Sequence, residues 1–134
     1  MAVTMEHLDH VAVRTSRLDA MIEWYGRMLG MQTGPRPDFS FPGAWLYAGN
    51  RAVLHLVGVE AEPGADASNL KLEHFALKAT GMRELMDRAE AAGERIELRK
   101  LPSFTIVQIN MWDPDGNHIH IDFDLAEAEE AGAV

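Results

Sequence analysis

The chain has 134 residues, enough for one compact folding unit with a core and too few for two ordinary independent domains. Apolar residues make up 47% and charged residues 25%, the balance of a soluble globular domain. A net charge of -9 argues against nucleic-acid and anionic-membrane partners, and the absence of Cys excludes disulfides, thiolate nucleophiles and Cys-held metals.

The opening MAVTMEHLDH has neither a basic nor an apolar leader region, and no stretch approaches the roughly 20 apolar residues of a membrane helix, so a cytoplasmic protein is expected. The first element is a strand, Leu8 to Arg14 (LDHVAVR). Val11 and Val13 alternate with His10, Ala12 and Arg14, giving one apolar face and one face bearing a histidine. Leu18, Met21, Ile22, Tyr25 and Met28 then form an apolar stripe at helical spacing, with Thr15 or Ser16 as N-cap and Gly30 as terminating glycine. Strands are predicted at about Met31 to Thr33, Ala44 to Ala48 and Ala52 to Val57, the last two joined by a Gly49-Asn50 turn. The stretch TGPRPDFSFPG, 33–43, contains three prolines and two phenylalanines and predicts a loop overhanging a cleft as a lid.

The same order then recurs. LEHFALK, Leu72 to Lys78, lines up without gaps on LDHVAVR at an offset of 64, each pair keeping its chemical type. Met82, Leu85, Met86, Ala89 and Ala92 repeat the helical stripe, with Thr80 as N-cap and Gly93 as terminating glycine. Strands follow at about Arg95 to Leu101, Phe104 to Trp112 and His118 to Phe123, the last two joined by the turn DPDGN, 113–117. NHIHI matches AVLHL at an offset of 65, making His55 and His120 equivalent. The expected organisation is α+β: one βαβββ module over 1–59, a linker over 60–70, a second module over 71–124 and an acidic tail over 125–134. That tail is expected to be a frayed helix or disordered, without chemistry.

One histidine on a strand is ordinarily a packed or surface residue. Four at repeat-equivalent positions, His10, His55, His74 and His120, are not explained by packing, and two modules related by a pseudo-twofold axis would bring them to one cleft. Imidazole suits Zn, Fe, Ni or Cu better than Mg or Ca, so a divalent-metal site is expected. His7 and His118 pair with Lys71 and Val53 in the repeat. His7 is read as a surface residue, whereas His118 shares a strand face with His120 and Asp122 and can orient ligands or shuttle protons. Asp122 is the nearest candidate carboxylate base, with a solvated strand-end residue as its plainer reading. The alternation also points Trp45, Tyr47, Phe104, Gln108, Asn110 and Trp112 away from the core, with Arg14 and Lys78. Aromatic walls with a few polar groups describe a pocket for a small organic molecule. Trp45 and Trp112 equally suit a dimer interface.

LDHVAV with a helix containing WYGRMLGM, LEHFAL opening the second half, and DPDGNHIHI resemble the vicinal oxygen chelate superfamily over about residues 6–123. That superfamily includes glyoxalase I, fosfomycin-resistance enzymes, methylmalonyl-CoA epimerase, extradiol dioxygenases and bleomycin-resistance proteins. The resemblance implies an open, curved mixed sheet around a metal cleft and a homodimer, and it puts His10, His55, His74 and His120 on the positions from which members draw their ligands. The position of His120 is usually Glu in the metal-dependent members. Four neutral ligands leave the full charge on the ion, but four protein ligands close a tetrahedral zinc site. Either the ion has five or six ligands, as Fe, Ni, Co or Mn allow, or one imidazole, such as His120, leaves to act as base. A ligating imidazole cannot also take a proton. The expected function is a metal-dependent lyase or isomerase that holds a small substrate through adjacent oxygens and stabilises an enediolate or related anion. The alternatives are an Fe(II)-dependent ring-cleaving dioxygenase and a non-catalytic antibiotic-binding protein.

Overall fold

Alternation in the first repeat produces strand β1, Val11–Thr15, in the computed structural model, which describes residues 2–4, 6–64, 70–101 and 105–134. Helix α1, Leu18–Leu29, follows, then β2, Gln32–Thr33, β3, Gly43–Ala48, and β4, Arg51–Gly58. The second repeat gives β5, His74–Lys78, α2, Met82–Ala92, β6, Glu97–Lys100, β7, Ile106–Trp112, and β8, His118–Asp124. A last helix, α3, spans Leu125–Glu130. The chain divides into two compact units, Met1–Pro63 and Gly64–Val134, and each holds one four-stranded mixed sheet.

The two sheets have one topology. Strand order is β1-β4-β3-β2 in the first unit and β5-β8-β7-β6 in the second, and both sheets are open. In each, the first strand runs parallel to the last and the other pairs are antiparallel. The α+β fold and the repeated βαβββ order expected from the sequence are therefore present.

Burial follows the alternation. In the first unit Ala44, Leu46, Leu54 and Leu56 are buried beside Met21, Trp24, Tyr25 and Met28 of α1. In the second, Val107, Ile109, Met111, Ile119, Ile121 and Phe123 are buried with Met82, Leu85 and Ala89 of α2. A slip of one residue in β4 would turn Leu54 and Leu56 outward, and each buried Leu is worth about 1.5–3 kcal/mol. That burial pins the register and keeps His55 on the opposite face.

The helix ends depart from expectation at their starts. Gly30 and Gly93 end α1 and α2 in the left-handed region, at φ 67° and 69°, as predicted. Thr15, Ser16 and Thr80, however, do not cap. The N-cap of α1 is Arg17, whose amide donates to Thr15 Oγ1 at 3.0 Å in a tight local turn. The N-cap of α2 is Gly81, and Glu127 of α3 accepts from the amides of Gly81 and of Met82, the latter at 2.8 Å. The acidic tail, expected to fray or to be disordered, is thus a helix with Ala128 buried and with a defined task at the start of α2. No described helix is long and apolar enough to cross a membrane.

Candidate metal centre

In the first unit β4 carries His55, whose Cα pairs with Ala12 on one side and Trp45 on the other. His10 stands one residue before β1. The rings of His10 and His55 stack at 3.9 Å and 9°, and Trp45 stacks on His55 at 3.9 Å and 10°. His55 is therefore held between another imidazole and an indole. Its Nε2–H donates to the Ala52 carbonyl at 3.0 Å, which leaves the Nδ1 lone pair for another partner. Asp9 Oδ2 accepts from His10 Nδ1 at 2.7 Å, which leaves His10 Nε2 free in the same sense.

The second unit repeats this arrangement and adds to it. His74 and His120 stack at 3.8 Å and 13°. Glu73, the repeat equivalent of Asp9, takes His74 Nδ1 with one carboxylate oxygen and reaches His118 Nδ1 at 3.1 Å with the other. His118 packs edge-on to His74 and His120, and one ring nitrogen from each of His74, His118 and His120 lies within 4.8 Å of the others. These three residues form a cluster that can hold a metal ion. His118 Nε2 also meets Asn110 Oδ1 at 2.9 Å, with the Asn110 amide nitrogen committed to the Glu97 carbonyl at 3.0 Å. Both nitrogens of His118 thus face acceptor oxygens.

The donor set fits a divalent ion of intermediate softness. His120 is 8% exposed and its Nδ1 is buried without a hydrogen-bond partner among the described residues, an unmet need that a metal would satisfy. Burial pushes the pKa of His120 down, with His74 and His118 adding to the effect, and burial likewise lowers His55, helped by His10. Both imidazoles are held toward the neutral form that ligates. Hydrogen bonds from His10 and His74 keep Asp9 and Glu73 below their ordinary carboxylate values.

The remaining predicted residues have distinct placements. Trp112 stacks on His118 at 5.0 Å, and the Arg95 guanidinium lies 3.8 Å over the Trp112 ring. Gln108 is 9% exposed and pairs in register with Asp122, whose Oδ1 is buried without a partner among the described residues. Lys78 bonds Asp124 at 2.7 Å, and the Tyr47 hydroxyl donates to the Pro35 carbonyl at 2.5 Å. Arg14 is exposed on β1, His7 meets Arg51 outside the histidine pair, and Phe104 lies outside the described residues, as does 65–69 of the linker.

Three residues of the site went unassigned in the sequence. Asp9 and Glu73 were visible as an acid paired with an acid at the offset of 64, a signal that could have named them. Phe39, 6.5 Å from the Trp45 ring, had no repeat to announce it.

The Glyoxalase/Bleomycin resistance protein/Dioxygenase superfamily model matches residues 7–121. A search of curated proteins finds no match. Among solved structures, a glyoxalase family protein from Bacillus anthracis is similar at TM-score 0.74 and 21% identity, covering 92% of this chain and 99% of its own. A glyoxylase/bleomycin resistance protein/dioxygenase domain from Frankia sp. EAN1pec gives 0.74 at 17% identity, covering 90% and 93%. The trypanothione-dependent glyoxalase I of Leishmania major gives 0.65 at 21% identity, covering 96% and 94%.

Proposed function

The chain belongs to the Glyoxalase/Bleomycin resistance protein/Dioxygenase superfamily, and from that membership we propose that it is a divalent-metal-dependent lyase or isomerase acting on a small oxygen-chelating substrate. The observation that carries this reading is the repeated pair: a His stacked on a His in each unit, with a carboxylate behind the first of them. Such carboxylates fix ring orientation and raise ligand basicity. A protein that only sequesters an apolar drug has no use for them.

In this reading His10, His55, His74 and His120 hold one ion, with Fe, Ni, Zn, Co and Mn as candidates. When bound, the ion supplies Lewis acidity toward adjacent substrate oxygens. His118 lies in one cluster with His74 and His120, and in this reading it orients ligands instead of serving as one. Its part is to keep Glu73, and through it His74, in place. Asp122, with one buried oxygen unpartnered among the described residues and on the strand face of His120, takes the proton from substrate carbon and returns it. Gln108 and Asn110 supply polar contacts beside them. The chain is taken to work as a cytoplasmic homodimer, in keeping with its resemblance to the superfamily, and sedimentation of the purified protein tests the dimer.

Solvent deuterium exchange tests the reaction class. Metal-loaded protein is expected to exchange the carbon-bound hydrogen of an α-hydroxycarbonyl compound or a hemithioacetal from a broad panel, without oxygen uptake. Oxygen consumption with a catechol in place of exchange would favour the Fe(II)-dependent dioxygenase.

A further inference from the structure

Residues 34–42, between β2 and β3, are tied down by contacts of several kinds, where the sequence predicts a lid. The Tyr47 hydroxyl reaches the Pro35 carbonyl, and a Cβ on Gly34 would fall 2.6 Å from the Tyr47 ring, so that close approach requires glycine. The Phe39 amide donates to the Pro37 carbonyl at 2.8 Å, and Gly58 donates to Pro42 at 2.9 Å. The Arg36 guanidinium lies 5.0 Å and 5.1 Å over the Phe39 and Phe41 rings and donates to the Phe41 carbonyl at 3.0 Å. A Cβ on Gly43 would sit 2.9 Å from that guanidinium, so the loop and β3 are fitted to each other.

These ties hold an unusual surface. Phe39 and Phe41 stack at 4.9 Å and 16° yet remain 41% and 42% exposed, and Phe39 leads to Trp45, which lies flat on His55. In the second unit the register partner of His120 is Asn110, where that of His55 in the first is Trp45. His55 thus has an indole against its ring, whereas in the second unit the indole, Trp112, lies against His118 beside the stacked pair. Leaving two phenylalanine rings exposed costs hydrophobic stabilisation that burial would have supplied, and fixing them there with Arg36 is understandable if something flat covers them.

We propose that Phe39, Phe41 and Trp45 form a subsite for an aryl or other flat unsaturated group, carried by a substrate whose adjacent oxygens are directed to the ion at His10 and His55. This rests on the metal reading above. The substrate class is then an aryl-substituted oxygen chelator, with its ring beside the first unit's histidines.

Two small chelators test it, acetohydroxamate and benzohydroxamate, which present the same pair of oxygens with and without a phenyl ring. Their dissociation constants are measured on Co(II)-loaded protein by visible absorption, with tryptophan fluorescence as a second readout. Benzohydroxamate is expected to bind about tenfold tighter, in the range that aromatic stacking supplies. Phe39→Ala should cut that preference to about twofold while leaving acetohydroxamate unchanged. Phe39→Leu, which keeps apolar bulk, should fall between them and guards against a merely misfolded loop. Comparing the ratio between native and variant proteins cancels the chelators' intrinsic difference toward the ion. A preference that is absent, or unchanged in Phe39→Ala and Phe41→Ala alike, overturns the aryl subsite alone. Failure of both chelators to bind Co(II)-loaded protein overturns the metal reading and the subsite with it.

Discussion

Asp9 accepts a hydrogen bond from the Nδ1 of its own neighbour, His10, at 2.7 Å, and Glu73 does the same for His74 one repeat later. A carboxylate behind a ligating imidazole fixes which nitrogen faces the metal, and removing such a partner typically costs about 10–100-fold in metal affinity. Asp9→Ala and Glu73→Ala are each expected to weaken binding of Zn(II) or Co(II) within that range in a competition titration, with folding intact by circular dichroism. Affinity unchanged in both variants would mean that these carboxylates are ordinary surface acids.

The pH dependence of the metal-free protein should follow the buried histidines. His55 and His120 have pKa values lowered from 6.5, so the unfolded chain binds more protons in this window than the folded one and stability rises with pH. Stability should fall as pH drops below 6.5 and level off once the lowered values are passed. Asp9 and Glu73 act lower: depressed from 3.8 and 4.5, they stabilise the fold above those values, and the contribution fades as pH falls through the lowered ones. A profile of Tm against pH on His120→Gln should show a shallower fall below 6.5 than the native chain. Superimposable profiles would contradict the burial account.

Asp122→Asn should separate binding from proton transfer. Metal content is expected to stay at the native level, while solvent deuterium exchange into a responsive substrate drops by at least about 100-fold, the usual contribution of a positioned base. Loss of metal in this variant, or full exchange without the carboxylate, would place the base elsewhere.

Glu127 joins the tail to the second module. Replacing it with Ala removes the acceptor for the Gly81 and Met82 amides, and a lost helix cap costs about 1 kcal/mol. Urea unfolding should register that loss with metal affinity unchanged. No change in midpoint would show that water serves those amides as well.

The fold was legible because the repeat is written in residue types. His10 and His74, the helical stripes and the DPDGN turn each follow from local spacing, and two aligned copies reinforce one another. Asp113 explains the strength of that last signal: its carboxylate accepts from the Asp115 and Asn117 amides at 3.0 Å and 2.9 Å. What was not legible comes from distance along the chain. Glu127 caps a helix that begins 45 residues earlier, so Thr80 looked like the better cap. Phe39 meets Trp45 only through the path of a proline-rich loop, and His118 is held by Asn110 and Glu73, which no local pattern connects.

Elemental analysis of the native protein, reconstituted with Zn, Ni, Co, Mn or Fe, beside His10→Ala, His55→Ala, His74→Ala, His120→Ala and His118→Ala, decides which histidines hold the ion. One ion per chain is expected in the native protein, with reduced occupancy in each of the first four variants and occupancy retained in His118→Ala. Native occupancy in two or more of the first four, or loss confined to His74, His118 and His120, would contradict the four-histidine centre.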